Sequence, residues 1–294
     1  MVATIKNYLH VAKPGIVLGN LVPASAGFFL ASKGHIRLPL FMATLVGISL
    51  VVASACVLNN CIDRSMDRKM ARTRNRVMAR GLISLKAAVS YAVLLGVAGI
   101  WLLSRATQPL CVWVVLSGFV MYVGVYSLYL KRRSVYATLL GSLAGVAPPL
   151  AGYCAVTGRF DLGALLLLLI FSLWQMPHCY AIAIFRRDDY ASAQIPVVPV
   201  TRGSLAAKRH ILGYVAAFVA ATLTLTFGGY TGYGYLVVAV VLGLFWVYLT
   251  WSGFRARDDN RWARQLFAFS FMSMLVLSVM MSIDYTLPLN AAPK

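Results

Sequence analysis

Apolar residues in this chain gather into runs near twenty residues long, separated by short polar stretches. Nine runs can be drawn: 15–32, 39–58, 85–104, 110–130, 135–156, 162–185, 210–229, 235–253 and 265–283. A helix needs about 20 residues to cross the hydrocarbon core of a bilayer. Lipid offers no partner to a backbone N–H or C=O, so an apolar run of that length has to close its own hydrogen bonds as a helix. The pattern predicts an all-α membrane protein, a nine-transmembrane-helix bundle, as one polytopic domain over residues 1–294. Lys6 and Lys13 ahead of a run containing Ala24-Ser25-Ala26 have the outline of a secretory signal. That run continues to Ala31 and carries Asn20 and Pro23, so it is read as a retained span.

The polar positions carry a pattern of their own. From Leu58 to Gly81 the chain reads LNNCIDRSMDRKMARTRNRVMARG, with no Pro to stop the helix that precedes it. Asn59, Asp63 and Asp67 stand four residues apart, so on a continuing helix they stack on one face. A ladder of oxygen atoms of this kind suits Mg²⁺, the hard cation that joins a few carboxylates to phosphate oxygens. Arg64, Arg68, Lys69, Arg72, Arg74, Arg76 and Arg80 follow at once and supply phosphate donors. All 8 acidic residues of the chain are Asp, which argues against carboxylates chosen for helix propensity.

Span six holds a second polar set, Trp174-Gln175-Met176-Pro177-His178-Cys179-Tyr180, and exits through Arg186-Arg187-Asp188-Asp189-Tyr190. Polar groups at membrane depth are costly unless paired, which marks Gln175 and His178 as candidates. His178 has two readings: lining a cavity above the charged surface, or a hydrogen bond to a neighbouring helix. The two acidic exits, after spans two and six, face the same surface. The Pro-bounded segment Ile195–Gly203 is expected to lie over the site. Tyr122, Tyr126 and Tyr129 are placed on one face of span four, with Lys131 at the level of the ladder. Arg255 to Arg264, with Asp258 and Asp259, read as a salt-bridged loop.

Composition changes the picture in two ways. At 60% hydrophobic and 12% charged residues, a soluble domain is excluded. The net charge of +19 is mostly topological: of 27 Lys and Arg, all but Lys33, Arg37, Arg105, Arg159 and Lys294 fall in the N-terminus, in loops after even-numbered spans or, for Lys86, in the turn that enters span three from such a loop. That asymmetry puts the N-terminus in the cytoplasm of a bacterial inner membrane, or in a mitochondrial matrix, with the C-terminus on the periplasmic side. Charges split among membrane-edge loops make no nucleic-acid module. The 5 Cys form no C-x-x-C pair and read as small core residues.

An acidic ladder with basic residues, at the mouth of a bundle with polar groups inside, fits a substrate with a diphosphate head and an apolar tail. Asn59-x-x-x-Asp63-x-x-x-Asp67, followed by Arg72-Thr73 and Arg76, resembles the first motif of the UbiA superfamily of intramembrane prenyltransferases. Trp174 to His178, Arg186 to Tyr190 and Ile195-Pro196 resemble the protohaem-farnesylating branch of that superfamily, as do Lys13-Pro14-Gly15, Gly19-Asn20, Tyr126-Ser127 and Leu130-Lys131-Arg132. The resemblance implies a Mg²⁺-dependent transfer of farnesyl from farnesyl diphosphate to a vinyl group of protohaem IX, giving haem O, with haem a substrate and not a prosthetic group. Haem A synthase or a terminal oxidase would receive the product. Carried over by position, Asp63, Asp67, Asp188 and Asp189 are the catalytic acids and, with Asn59, the metal ligands. Asn59, Arg72, Arg76, Tyr126, Lys131, Trp174, Gln175, His178 and Arg187 are the expected substrate-binding set. The chain departs from the pattern at Ala193, where a second spaced aspartate is usual, and at Cys179 and Gln194, where Phe and Gly are expected. Transfer to another acceptor, and a secondary transporter with polar groups at mid-membrane, are the competing readings.

Overall fold

A computed structural model describes residues 2–286; its elements are helical, and the described residues pair as strands only at the isolated bridge Thr231 to Tyr285. A short helix α1 (Val2–Val11) precedes α2 (Pro14–Ser32), α3 (Leu38–Asp67) and α4 (Leu85–Ala106). The fourth span starts as α5 (Pro109–Val120) and runs on as a π-helix over Met121–Tyr129 and a 3₁₀ turn over Leu130–Arg132. The fifth is split into α6 (Ala137–Gly145) and α7 (Ala147–Thr157). Then come α8 (Leu162–Phe185), the short α9 (Arg187–Ser192) and α10 (Val198–Thr201), α11 (Gly203–Phe227), α12 (Tyr233–Ser252) and α13 (Asp259–Ile283). Among the described residues, nine helical segments are long and apolar enough to cross a membrane.

Each expected span is present, and the differences have local causes. α3 continues nine residues past the apolar run, because no Pro or Gly interrupts it there and its polar side chains find partners on other elements. α11 and α13 begin at Gly203 and Asp259, ahead of their apolar runs, since their first turns are polar; Asp258 caps α13 by accepting from the backbone N–H of Asn260 and Arg261. The fifth span breaks at Val146 because Pro148 and Pro149 have no N–H to continue the ladder of α6.

α7 runs through the centre, with every residue from Pro148 to Ala155 buried. It crosses α2 backbone to backbone: a Cβ on Gly27 would stand 2.0 Å from the Pro149 carbonyl oxygen, and one on Gly152 2.0 Å from that of Ala24. α2 also packs on α3 and α13, α8 packs on α6, α11 and α13, and α3 packs on α4. The polar ends of α3, the π-segment and α8 meet the start of α2, and a cavity opens among them.

Candidate active site

One face of α3 builds the long wall of this cavity. Ile48, Val51, Val52 and Ala55 line its inner part, and Asn59, Asp63 and Asp67 continue the same stripe outward. The helical repeat thus carries an apolar wall directly into a polar one. The facing walls come from Val115, Phe119, Tyr122 and Tyr126, from Thr138 and Gly141 on α6, and from Gln175, Cys179, Ile182 and Ala183 on α8. The volume is about 380 Å³, within the range of pockets that enclose small organic ligands. Gly145 makes room for Gln175, whose Oε1 would lie 2.0 Å from a Cβ there.

The expected ladder is a connected network. Asp63 and Asp67 are each 1% exposed, and Asn59 is 4% exposed. Lys131 reaches Asp63 Oδ2 with its ammonium, and Asn59 Nδ2 donates to the same oxygen at 2.9 Å and to Ser127 Oγ at 3.1 Å. Arg76 Nη1 lies 3.0 Å from both oxygens of Asp67. Arg132 donates to the Ile62 carbonyl at 2.9 Å, which fixes the end of the π-segment against the ladder. Arg72 completes the basic rim.

Three residues at the site were not assigned a role from sequence. Lys13 donates from Nζ to Asn59 Oδ1 at 2.8 Å and lines the cavity. Burial, with Arg76 and Lys131 adding repulsion against the pull of Cys56 and Asp63, lowers its ammonium to about 8. Ser127 holds the Asn59 amide, and Tyr190 borders the rim, its phenol pushed up by burial. The partners of Lys13 and Ser127 are 46 and 68 residues away, a separation that no local pattern encodes.

Other expectations are redistributed. Tyr122 and Tyr126 stack at 5.9 Å and line the cavity, whereas Tyr129 turns outward under Arg133. The cause is the wider turn of the π-helix, whose i→i+5 bonding puts the third tyrosine off the shared face. Ile195, Pro196 and Val197 do lie over the cavity. Arg187 and Asp188 are exposed and border a separate polar groove with Arg257, Asp258 and Asp259, and Asp189 pairs with Arg186 at 3.9 Å. Asp259 pairs with the buried Lys208, as a salt-bridged loop would. The structure therefore does not bring the second acidic exit into the cavity with the first. Ala193 packs with Met66, Met70 and Ile195 against the end of α3, an apolar contact in place of an acidic one. Gln194 holds φ 55°, a left-handed conformation in which the Gly expected there would be unstrained.

Trp174 and His178 occupy the neighbouring face of α8, away from Gln175 and Cys179. Trp174 Nε1 donates to the Ser270 carbonyl at 2.7 Å, and His178 Nδ1 lies 2.9 Å from Ser270 Oγ. The imidazole is sandwiched between Trp174 at 4.9 Å and Phe267 at 4.6 Å. Of the two readings of His178, the geometry is that of a helix pairing between α8 and α13.

The residues fit a hard divalent cation at the ladder. Asp63 Oδ1 is buried with no hydrogen-bond partner among the described residues. An anionic oxygen in that condition is costly unless a cation meets it. Asn59 presents its nitrogen to Asp63 and its oxygen to Lys13, so in this arrangement the amide orients the carboxylate. Among the described residues no three of His, Cys, Asp and Glu cluster as a closed metal site. Carboxylates that leave coordination positions to substrate oxygens are the usual form for Mg²⁺ on a phosphate.

Comparison with known proteins agrees with this architecture. A protoheme IX farnesyltransferase of Cronobacter sakazakii (strain ATCC BAA-894) is 60% identical over 284 residues, 97% of this chain and 96% of that protein. Protoheme IX farnesyltransferase 2 of Pseudomonas fluorescens (strain Pf0-1) is 57% identical over 285 residues, 97% of each chain. Among solved structures, digeranylgeranylglyceryl phosphate synthase superposes with a TM-score of 0.78 at 15% identity, over 95% of this chain and 98% of that one. A UbiA homologue of Archaeoglobus fulgidus bound to GPP and Mg²⁺ superposes with a TM-score of 0.66 at 15% identity, over 94% and 99%. The profile of the UbiA prenyltransferase family matches residues 20–275. With that match and relatives of this identity over nearly its whole length, the chain belongs to the UbiA prenyltransferase family.

Proposed function

We propose that the chain transfers the farnesyl group of farnesyl diphosphate to a vinyl group of protohaem IX, producing haem O at the cytoplasmic face of a bacterial inner membrane. The observation that carries this reading is the single face of α3 that passes from Ile48 to Asp67 without a break, apolar where a prenyl tail would lie and acidic where its diphosphate would lie. The acceptor is assigned from the relatives named protoheme IX farnesyltransferase at 57 to 60% identity.

In this reading Arg72, Arg76 and Lys131 receive the diphosphate at the rim, while Ile48, Val51, Val52 and Ala55 hold the tail. Mg²⁺ held by Asp63 and Asp67 would neutralise the charge of the diphosphate as it leaves. When the bond from the first farnesyl carbon to oxygen breaks, the electron pair stays on the diphosphate. Preorganised Arg76 and Lys131 stabilise it there, fixed in advance by Asp67 and Asp63. The stacked rings of Tyr122 and Tyr126 border the resulting allylic cation, and aromatic faces attract positive charge. Tyr190 and the Ile195–Val197 segment cover the rim and keep water from the cation until the vinyl group captures it. The terminal vinyl carbon bonds to the first farnesyl carbon and leaves the positive charge on the carbon next to the ring; water adds there and gives up one proton to solvent, completing the hydroxyethylfarnesyl group.

Pigments extracted from membranes of cells expressing the chain test the acceptor. A farnesylated haem is expected. A prenylated aromatic acid would give the same fold another acceptor, and solute uptake into vesicles with no covalent product would replace the enzyme by a transporter.

A further inference from the structure

The α3 face serves as a ruler for the substrate, since each step of four residues advances it by about one turn, ~6 Å. Asp67, Asp63 and Asn59 are its last three polar steps, and Ala55 begins the apolar wall. Arg76 and Lys131 meet the ruler at Asp67 and Asp63. Lys13 meets it one step deeper, at Asn59, with Nζ 2.8 Å from Oδ1. A prenyl diphosphate with its phosphates at the outer two steps and its tail along Ala55 to Ile48 places its reacting carbon–oxygen bond at the level of Lys13.

The backbone and the free donors of Lys13 agree with a role at that level. Lys13 holds φ 54° and ψ 66° at the start of α2, a left-handed conformation unfavourable to any residue with a Cβ. It is kept there by turns on both sides: its N–H donates to the His10 carbonyl at 3.2 Å, and its carbonyl accepts from Ile16 at 2.9 Å. An ammonium has three donors. Among the described residues Lys13 Nζ bonds to Asn59 alone, which leaves donors for a ligand in the cavity.

We propose that Lys13 is a catalytic residue of the ionisation step, donating to the phosphate oxygen from which the farnesyl carbon departs. This rests on the prenyl diphosphate reading of the cavity. No proton changes hands: the carbon–oxygen bond breaks, its electron pair remains on oxygen, and the ammonium hydrogen bond strengthens as that charge grows. Such an interaction is made mainly in the transition state, so its loss lowers the rate more than the affinity.

The test uses the full chain in nanodiscs with Mg²⁺ and protohaem. It measures the single-turnover release of diphosphate from farnesyl diphosphate and the Kd of farnesyl thiodiphosphate, whose bridging sulfur is a poor acceptor. Lys13→Gln keeps a donor for Asn59 and removes the charge, while Lys13→Arg keeps the charge. Lys13→Gln is expected to slow release roughly 100-fold, as removal of one preorganised donor does. Its Kd should stay within about threefold, and Lys13→Arg should regain at least about a tenth of the parental rate. A Lys13→Gln protein whose loss in rate is no larger than its loss in affinity overturns the proposal. So does a Lys13→Arg protein as slow as Lys13→Gln. A parent that neither binds the thiodiphosphate nor releases diphosphate removes the prenyl diphosphate reading itself, and the role of Lys13 with it.

Discussion

Asp63 is the residue on which most of the chemistry converges. One of its oxygens is shared by Lys131 and Asn59, and the other is buried without a partner among the described residues. Asp63→Asn removes the charge at little change in volume. It is therefore expected to lower turnover by at least roughly 100-fold, the scale set by loss of one electrostatic contact in a preorganised site. Membrane insertion should be retained, and equal turnover at equal protein level in limiting Mg²⁺ would contradict the role. His178 carries the opposite expectation, because it lies between Trp174 and Phe267 and not in the cavity. Loss of its two ring contacts and one interhelical hydrogen bond should cost about 1–3 kcal/mol. A His178→Ala protein should thus melt at lower temperature, with its affinity for farnesyl thiodiphosphate and the spectrum of bound haem unchanged; an altered haem spectrum would make it an iron ligand instead. The ladder was legible in sequence because a spacing of four on a helix determines a shared face. His178 was not, since both Gln175 and His178 are polar positions on α8 and only packing against α13 shows which face is inward.

At the scale of elements, two irregular helices shape the site and were only partly legible. Pro148 and Pro149 are visible in the sequence as helix breakers, and in the structure they make a break that sets α7 at the centre. The π-segment of the fourth span has no such marker, being an ordinary apolar and aromatic run, yet it decides that Tyr126 faces the cavity and Tyr129 does not. The α2–α7 crossing depends on two glycines whose missing side chains admit the opposite carbonyls at what would be 2.0 Å from a Cβ. Backbone cannot move aside as a flexible side chain does. Gly152→Ala is therefore expected to destabilise the bundle by about 1–3 kcal/mol or more, as overpacking does. Thermal unfolding in detergent measures it, and an unshifted melting temperature would mean that the crossing is looser than the structure has it.

For the whole molecule, the number of spans followed from the length of the apolar runs, because the thickness of the bilayer imposes it. The convergence of distant segments did not: Lys13 stands just before the first span, Ser127 on the fourth and Asp63 at the end of the second. The positive loops are expected on the cytoplasmic side, with the mouth of the site among them. Single Cys residues at the exposed positions Lys69 and Arg159, in a background without the native Cys, should accordingly react from opposite sides with a membrane-impermeant maleimide. Labelling of both from one side would break the nine-span arrangement.

The central claim, that the α3 cavity ionises farnesyl diphosphate for capture by protohaem, is tested most directly by one reconstitution. Purified chain, farnesyl diphosphate labelled in the farnesyl group and protohaem IX are combined in lipid, with Mg²⁺ or with a chelator, for the parent and for Asp63→Asn. The account predicts label in a haem product only for the parent with Mg²⁺. Label entering haem at the parental rate in the Asp63→Asn protein, or no label in haem from the parent with Mg²⁺, would contradict it.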